Sequence, residues 1–469
     1  MDQELTLVQK LYLFAGVSQS SMRPRSSAIQ ACEAAAINKG GCMSNYSLSL
    51  RGPKPWEVIL LILIALGVAP SPAQADVITD WDAKISSVAS PAALGEREAT
   101  LVDLAMFDAV NSVLGKSPGY VTRENGFEQA SAEAAAATSA ATVLAKLRPE
   151  KAAAFTAAQA EYLKGLAGDP AALELGRQLG ERVGLKVFES RAHDGATGPD
   201  PYRPLTQPGI YIPTATMTCA TWPKLKPFVL ERPDQFRPGP PVPLSSKDWA
   251  ADYNEVKAYG ARDSARRTPE QTETARFWLM TGPQAYHPIA WQMIAARHLK
   301  LLGSARFMAM YSTALTDAYI AVFDAKYRYN FWRPVTAIRN GDLGANSDTP
   351  IDANWQPLDV TPMHPEYPCA HCILSAAASA VIESTGGLGE LREFSLTSAS
   401  LPDITHRWTS LQSFMDEVSN ARIWAGFHYR SSARVGAAMG QEVGRYVATH
   451  FDRSRHDAGL SGSSSSNGR

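Results

Sequence analysis

Between residue 76 and about residue 455, outside two loop-like stretches, apolar residues recur at spacings of three and four, and no segment sustains an alternation of period two. Such spacing lays them along one stripe of a helix and denies a half-buried strand its alternating faces. Segments 98–113, 130–147 and 149–166 are rich in Ala, Leu, Glu and Lys, all strong helix formers. Further helical patterns cover 247–259, 268–280, 288–301, about 305–332, 369–384, 410–427 and about 432–451. The spacing predicts an all-α fold of packed helical bundles. No internal repeat of about 20–50 residues is present, which excludes a solenoid.

Two stretches break the pattern. Residues 195–245 hold GATGPDPYRPLTQPGIYIP and RPDQFRPGPPVPL, which is Pro- and Gly-rich loop chemistry. This connection either separates two helical lobes or wraps over a pocket. Residues 339–368 are also loop-like. The expected organisation is an N-terminal helical region, 76–245, ending in that connection, then a C-terminal helical core, 246–455. Residues 456–469, ending SGSSSSNGR, read as a disordered tail.

Composition bounds the function. The 469 residues are 45% hydrophobic and 19% charged, which excludes a disordered chain. A net charge of -1 speaks against a nucleic-acid binder acting through bulk positive charge, but leaves room for a local cationic pocket. Five cysteines are too few for a disulfide scaffold.

Residues 43–75 read as a secretory signal peptide. Arg51 and Lys54 precede the uncharged run VILLILIALGV at 58–68, and Ala73-Gln74-Ala75 offers a small-x-small cleavage site before Asp76. The run is too short for a comfortable membrane span, and Pro70 and Pro72 stop its extension. A buried helix or an uncleaved anchor are the alternatives. Met43 would start a well-proportioned signal, so residues 1–42 read as an over-extended start. Cleavage would leave no stable membrane span and a periplasmic or extracellular protein.

Three segments sit oddly in a purely structural bundle. In KYRYNFWRP, Lys326 and Arg333 are seven apart, about two helical turns, so they share one face, and Pro334 ends the helix. With Tyr327, Tyr329, Phe331 and Trp332 beside them they suggest an anion site walled by aromatics, or else a solvated basic face. In HPEYPCAHC, His371 falls in the first turn of an apolar helix, where backbone N–H groups are free to hold an anion. The plainer reading is a loop histidine satisfied by backbone. In ARIWAGFHYRSSARVG, Arg422 and His428 are six apart, which turns them away from each other on one continuous helix. A break near Gly426 would let them converge, with Ser431 or Ser432 capping the next helix.

The order Lys-x6-Arg-Pro, Pro-x-x-His, Arg-x5-His resembles the vanadium-dependent haloperoxidases. These share a superfamily with the type 2 phosphatidic acid phosphatases and bacterial acid phosphatases. FWRPVTAIR and PEYP are similar to phrases in secreted bacterial haloperoxidase-like chains. The likeness covers roughly residues 300–450. It implies an all-α haloperoxidase and acid-phosphatase core with an oxyanion pocket. Lys326, Arg333 and Arg422 would neutralise vanadate, or phosphate in the alternative, beside Cys369 and Ala370. His428 would be the ligand to vanadium, or the nucleophile of a phosphohistidine phosphatase. His371 would be the acid–base group. His364 stands where bromoperoxidases carry a histidine and chloroperoxidases tend to carry Phe, which implies bromide or iodide oxidation by hydrogen peroxide. The alternative substrate is a phosphomonoester.

Two departures stand out. The family's Pro-Ser-Gly-His becomes Pro368-Cys369-Ala370-His371, which loses a hydroxyl and adds a methyl. Its His-x3-Asp ends in Ser432, so His428 is expected to lack the carboxylate that would orient its ring. A free thiol at Cys369 would be oxidised by peroxide. Either it is disulfide-bonded or the enzyme is a phosphatase. Cys369 and Cys372 also form a C-x-x-C, which admits a thiol–disulfide oxidoreductase, or with His364 and His371 a crowded zinc site. A relative that binds an oxyanion without turnover is a further alternative. His193, His287, His298, His406, His450 and His456 have no partner motif and read as surface or satisfied-core residues. Asp317 and Asp324 either support Lys326 or are ordinary helix charges.

Overall fold

A computed structural model describes residues 76–452 except 116, 197, 200 and 214. The expected over-extended start, signal peptide and tail lie outside the described residues. The described chain runs α1 (Val77–Val88), α2 (Ala92–Leu114), α3 (Ala132–Leu147), α4 (Ala152–Gly165), α5 (Pro170–Glu189), α6 (Lys247–Tyr259) and α7 (Pro269–Phe277). It continues α8 (Pro283–Ala296), α9 (Leu301–Tyr329), α10 (Pro334–Arg339), α11 (Ala370–Ser384), β1 (Phe394–Ser398), β2 (Leu401–Trp408), α12 (Leu411–Trp424) and α13 (Arg430–His450). The architecture is all-α apart from one antiparallel hairpin, which pairs Phe394 with Trp408. Its first strand buries Phe394, Leu396 and Ser398, an alternation too short to register as a pattern in the sequence.

Local chemistry sets the helix ends. Ser131, Asp169, Ser246 and Ser410 cap their helices through side-chain oxygens, and Thr268 forms a capping box with Gln271. Several expected boundaries move. Helix α8 opens at Pro283 rather than at residue 288, because Gly282 takes a positive φ of 84° as N-cap; Pro288 lies inside it. Helix α9 stops at Tyr329 because Asn330 adopts the left-handed conformation at its C-cap, φ 50°. Pro334 therefore opens α10 instead of closing α9, and Lys326 and Arg333 are not two turns of one helix. Neither Ser431 nor Ser432 caps α13. Its first N–H groups go to distant carboxylates, Tyr429 N to Glu366 at 3.2 Å and Ser431 N to Asp252 at 3.0 Å.

Helices α2 and α9 form the buried centre and lie against each other, with α3 and α5 on one side and α11 and α13 on the other. Small residues bring α13 onto α11. A Cβ at Gly436, Gly440 or Gly444 would meet the carbonyl oxygens of Cys369, Ile373 and Ala377 at 2.6, 2.1 and 2.5 Å. This contact fixes the start of α11 beside the start of α13.

The Pro- and Gly-rich connection wraps along α9 and reaches the loop after it. Asp317 accepts the N–H groups of Phe228, Val229 and Leu230 at 2.7, 2.7 and 2.9 Å, and Asp324 pairs with Arg237 at 2.6 Å. These two acids pin the connection to the helix. Further on, Trp332 N bonds Gly209 O and Tyr211 N bonds Asn330 O, so the connection covers the approach to Arg333. The described residues form one compact unit.

Candidate oxyanion site

Three elements deliver the cations. Lys326 lies in the last turn of α9, Arg333 is the N-cap of α10, and Arg422 lies in the last turn of α12; all three are buried. Lys326 Nζ donates to the carbonyl oxygens of Pro365 and Glu366 at 3.0 and 2.7 Å. An ammonium has three donors, so one is left over. Arg333 donates from Nε to His364 O at 2.9 Å and from one terminal nitrogen to Phe427 O at 2.9 Å. That nitrogen stands 3.2 Å from His428 Nε2, and the other is 3.0 Å from His364 Nδ1. Arg422 donates to Trp278 O, and its Nε is buried without a partner.

His428 follows the expected break. Helix α12 ends at Trp424, Gly426 turns the chain at φ 80°, and α13 starts two residues after the histidine. The expectation that His428 lacks an orienting carboxylate is overturned. Its Nδ1 is 2.7 Å from Glu366 Oε1. A carboxylate there fixes the proton on Nδ1 and leaves the Nε2 lone pair facing Arg333. Sequence reasoning missed Glu366. Its one signal is an acid inside the buried proline-rich loop PEYP, and no spacing ties it to His428. Ser432 lies beside Glu366 and favours its charged form, yet the Ser432 hydroxyl and Glu366 Oε2 are not in bonding geometry.

The second segment places Cys369 as N-cap of α11, Ala370 as its first residue and His371 in its first turn, as expected. Cys369 and Cys372 are joined in a disulfide, and Cys369 Sγ accepts from Cys372 N at 3.2 Å. Neither sulfur is then a free thiol or a zinc ligand. Ala370 and His371 present N–H groups at a helix start, where no intrahelical acceptor exists. His371 Nε2 lies 3.1 Å from Met280 O, so Nε2 carries the proton and Nδ1 the lone pair. His364 is partly buried and stacks edge-on against Phe323. Of the aromatics expected to wall the site, Phe331 and Trp332 instead pack with Trp249 and Tyr429 in a small core of their own.

Electrostatics ties these groups together. Burial, then repulsion from Arg333, holds Lys326 well below its ordinary pKa. Burial likewise pulls Arg333 down to about 10, and burial with Arg333 nearby pulls Arg422 down to about 9. Burial and the same cations push His364, His371 and His428 well below 6.5. Burial raises Glu366 to about 7 against the pull of Lys326 and Arg333. Three buried cationic side chains thus face one acid, a balance of charge that favours an anion. A tetrahedral oxyanion suits the spare donors of Lys326, Arg422 and the α11 N-terminus.

Residues 306–457 match the family described as the VCPO second helical-bundle domain. A vanadium chloroperoxidase of Curvularia inaequalis is 28% identical over 179 residues, covering 31% of this chain. The matched stretch spans only 28% of that relative. Among solved structures, a bacterial vanadium-dependent iodoperoxidase superposes with a TM-score of 0.65 at 24% identity, over 80% of this chain and 94% of its own. A holo-type bacterial vanadium-dependent chloroperoxidase superposes with a TM-score of 0.61 at 17% identity, over 82% and 95%.

Proposed function

We propose that this chain, which has the helical fold of the vanadium-dependent haloperoxidases, is itself a vanadate-dependent haloperoxidase that oxidises bromide or iodide with hydrogen peroxide. The observation that carries the reading is His428 held by Glu366 so that its Nε2 lone pair faces Arg333, with Lys326 and Arg422 buried nearby and acting on the same ring. Those four side chains, with the N–H groups of Ala370 and His371, would hold vanadate. Bound vanadate would supply Lewis acidity that makes peroxide open to attack by halide.

The chain's own residues do the rest. Lys326, Arg333 and Arg422 balance the charge of the oxyanion, and their burial keeps water from screening that attraction. Glu366 keeps the ring of His428 in one tautomer and one orientation. His371 Nδ1 is the atom that takes and returns a proton. In the anion-free pocket its pKa is depressed by burial and then by Arg422. A bound anion offsets that repulsion, so His371 becomes able to hold a proton when the site is loaded. His364, hydrogen-bonded to Arg333, is the residue we assign to halide preference. Export to the periplasm or beyond completes the proposal.

The disulfide bears on the alternative, a phosphatase working through a phosphohistidine. The free thiol that spoke for it is tied up in the Cys369–Cys372 bond. The test is to compare residues 76–469 with the same chain carrying His428→Ala, for bromide oxidation and for aryl-phosphate hydrolysis. Loss of bromide oxidation in the variant is expected. Full retention would remove the assignment, and hydrolysis that vanadate inhibits would transfer it to a phosphatase.

A further inference from the structure

Far along the chain from these residues, four ionisable side chains are buried together. Asp82 comes from α1, Glu96 and Asp103 from α2, and His287 from α8, and all four are wholly inaccessible. His287 Nδ1 lies 2.8 Å from Asp82 Oδ1, and its Nε2 lies 2.8 Å from Glu96 Oε1. Trp291 Nε1 donates to the other Asp82 oxygen at 2.6 Å. Asp103 is different. Ser312 lies beside it and favours its charged form, yet neither of its carboxylate oxygens is in bonding geometry with a partner, and Glu96 Oε2 has none either. An unpartnered, fully buried carboxylate costs several kcal/mol by ordinary desolvation, roughly, and chains do not keep one without compensation.

Three acids against one imidazole cannot all be ionised there unaided. Either protons or a cation must neutralise them. A proton on Asp103 would give a hydroxyl that Ser312 beside it could accept, but it would leave Glu96 Oε2 still without a partner. A cation meets donors already gathered. One ligand atom each from Asp82, Asp103 and His287 lies within 4.8 Å of the other two. In a tetrahedral site with bonds of about 2.0–2.1 Å the donors stand about 3.3 Å apart, so the Nδ1–Asp82 pair would open from 2.8 Å while the set, now within 4.8 Å, draws in around the ion. Glu96 completes it. Its bond to Nε2 leaves Nδ1, the nitrogen facing Asp82, as the donor to metal, which is a carboxylate–histidine–metal relay.

We propose that Asp82, Asp103 and His287 Nδ1 bind one divalent cation of the zinc type, with Glu96 orienting the imidazole. The nitrogen donor and the small ligand number favour zinc over calcium, which asks for six to eight oxygens. The site is structural. It staples α1 and α8 to α2, the central helix of the N-terminal half, and it is independent of the oxyanion pocket and of its proposed chemistry.

The test uses purified, full-length exported protein. Elemental analysis after dialysis is expected to find about one zinc per chain, in the wild type and equally in His428→Ala. Metal-free protein should gain about 5 °C or more in Tm when Zn2+ is restored in large excess over its Kd. Asp103→Asn should lose both the zinc and the gain. If that variant fails to fold, Co2+ added to the metal-free wild type should give visible ligand-field bands at one equivalent. Absence of zinc together with an unmoved Tm would overturn the proposal. So would an Asp103→Asn variant more stable than wild type with or without Zn2+, since that marks a cluster neutralised by protons alone. A Co2+ titration without bands would do the same.

Discussion

Glu366 and His428 are 62 residues apart in sequence and 2.7 Å apart in the fold. Replacing Glu366 with Gln keeps an oxygen for Nδ1 but removes the charge. We expect Glu366→Gln to weaken vanadate dependence or turnover roughly 10- to 100-fold, read from a vanadate titration of halide oxidation. Unchanged titration would mean that the carboxylate does not serve His428. Sulfur gives a second prediction. The disulfide leaves nothing on Cys369 or Cys372 for peroxide to oxidise, and burial pushes the Cys219 thiol up to about 12, so it stays protonated and slow to react. Mass spectrometry after peroxide exposure should find Cys369 and Cys372 unmodified, and oxidised only when the protein is first reduced. Lys326, Arg333, His371, Arg422 and His428 stand out in the sequence through the ordered motifs that carry the family resemblance, and the fold buries all five. Glu366 does not, because the chain departs from the expected Asp and supplies the carboxylate from another loop.

At the level of elements, the site depends on α13 lying against α11. A methyl at Gly440 would stand 2.1 Å from Ile373 O, where nothing flexible can yield. Gly440→Ala should therefore destabilise the protein by about 1–3 kcal/mol, measured by denaturant unfolding. Gly165→Ala, at a helical position with nothing within 4 Å, should be neutral or mildly stabilising. Equal effects would contradict the close-packing account. Helix existence was legible from apolar spacing, and so was the break at Gly426. Helix ends were less so. Pro334 looked like the stop for α9, but the stop is Asn330, which tolerates the left-handed conformation, and Pro334 sits where its missing N–H costs nothing. The hairpin at 394–408 was not legible, since its alternation is brief and the register shifts between Thr397 and Ser398.

For the molecule as a whole, ligand binding and acidity are linked. In the anion-free pocket burial and neighbouring cations hold His364, His371 and His428 well below 6.5. The folded state then binds fewer protons than the unfolded chain, so these groups contribute stability above 6.5 that is lost as pH falls below it. An oxyanion raises their pKa values and removes that loss. Glu366, raised to about 7 by burial, is pushed further up by a nearby anion and acts in the same direction, while acids remote from the pocket cancel in the difference. The Tm gained on adding vanadate should therefore grow as pH is lowered from about 7.5 to about 5.5, and His371→Ala should flatten the trend. A gain that shrinks on acidification would contradict the electrostatic account. None of the described helices is long and apolar enough to cross a membrane. The central claim is that the pocket turns bound vanadate into a halide-oxidising site. It is tested most directly by following bromination of a phenolic dye with hydrogen peroxide while vanadate is titrated into vanadate-free protein. The predicted rate rises from near zero and saturates at one vanadate per chain; a rate indifferent to vanadate would contradict it.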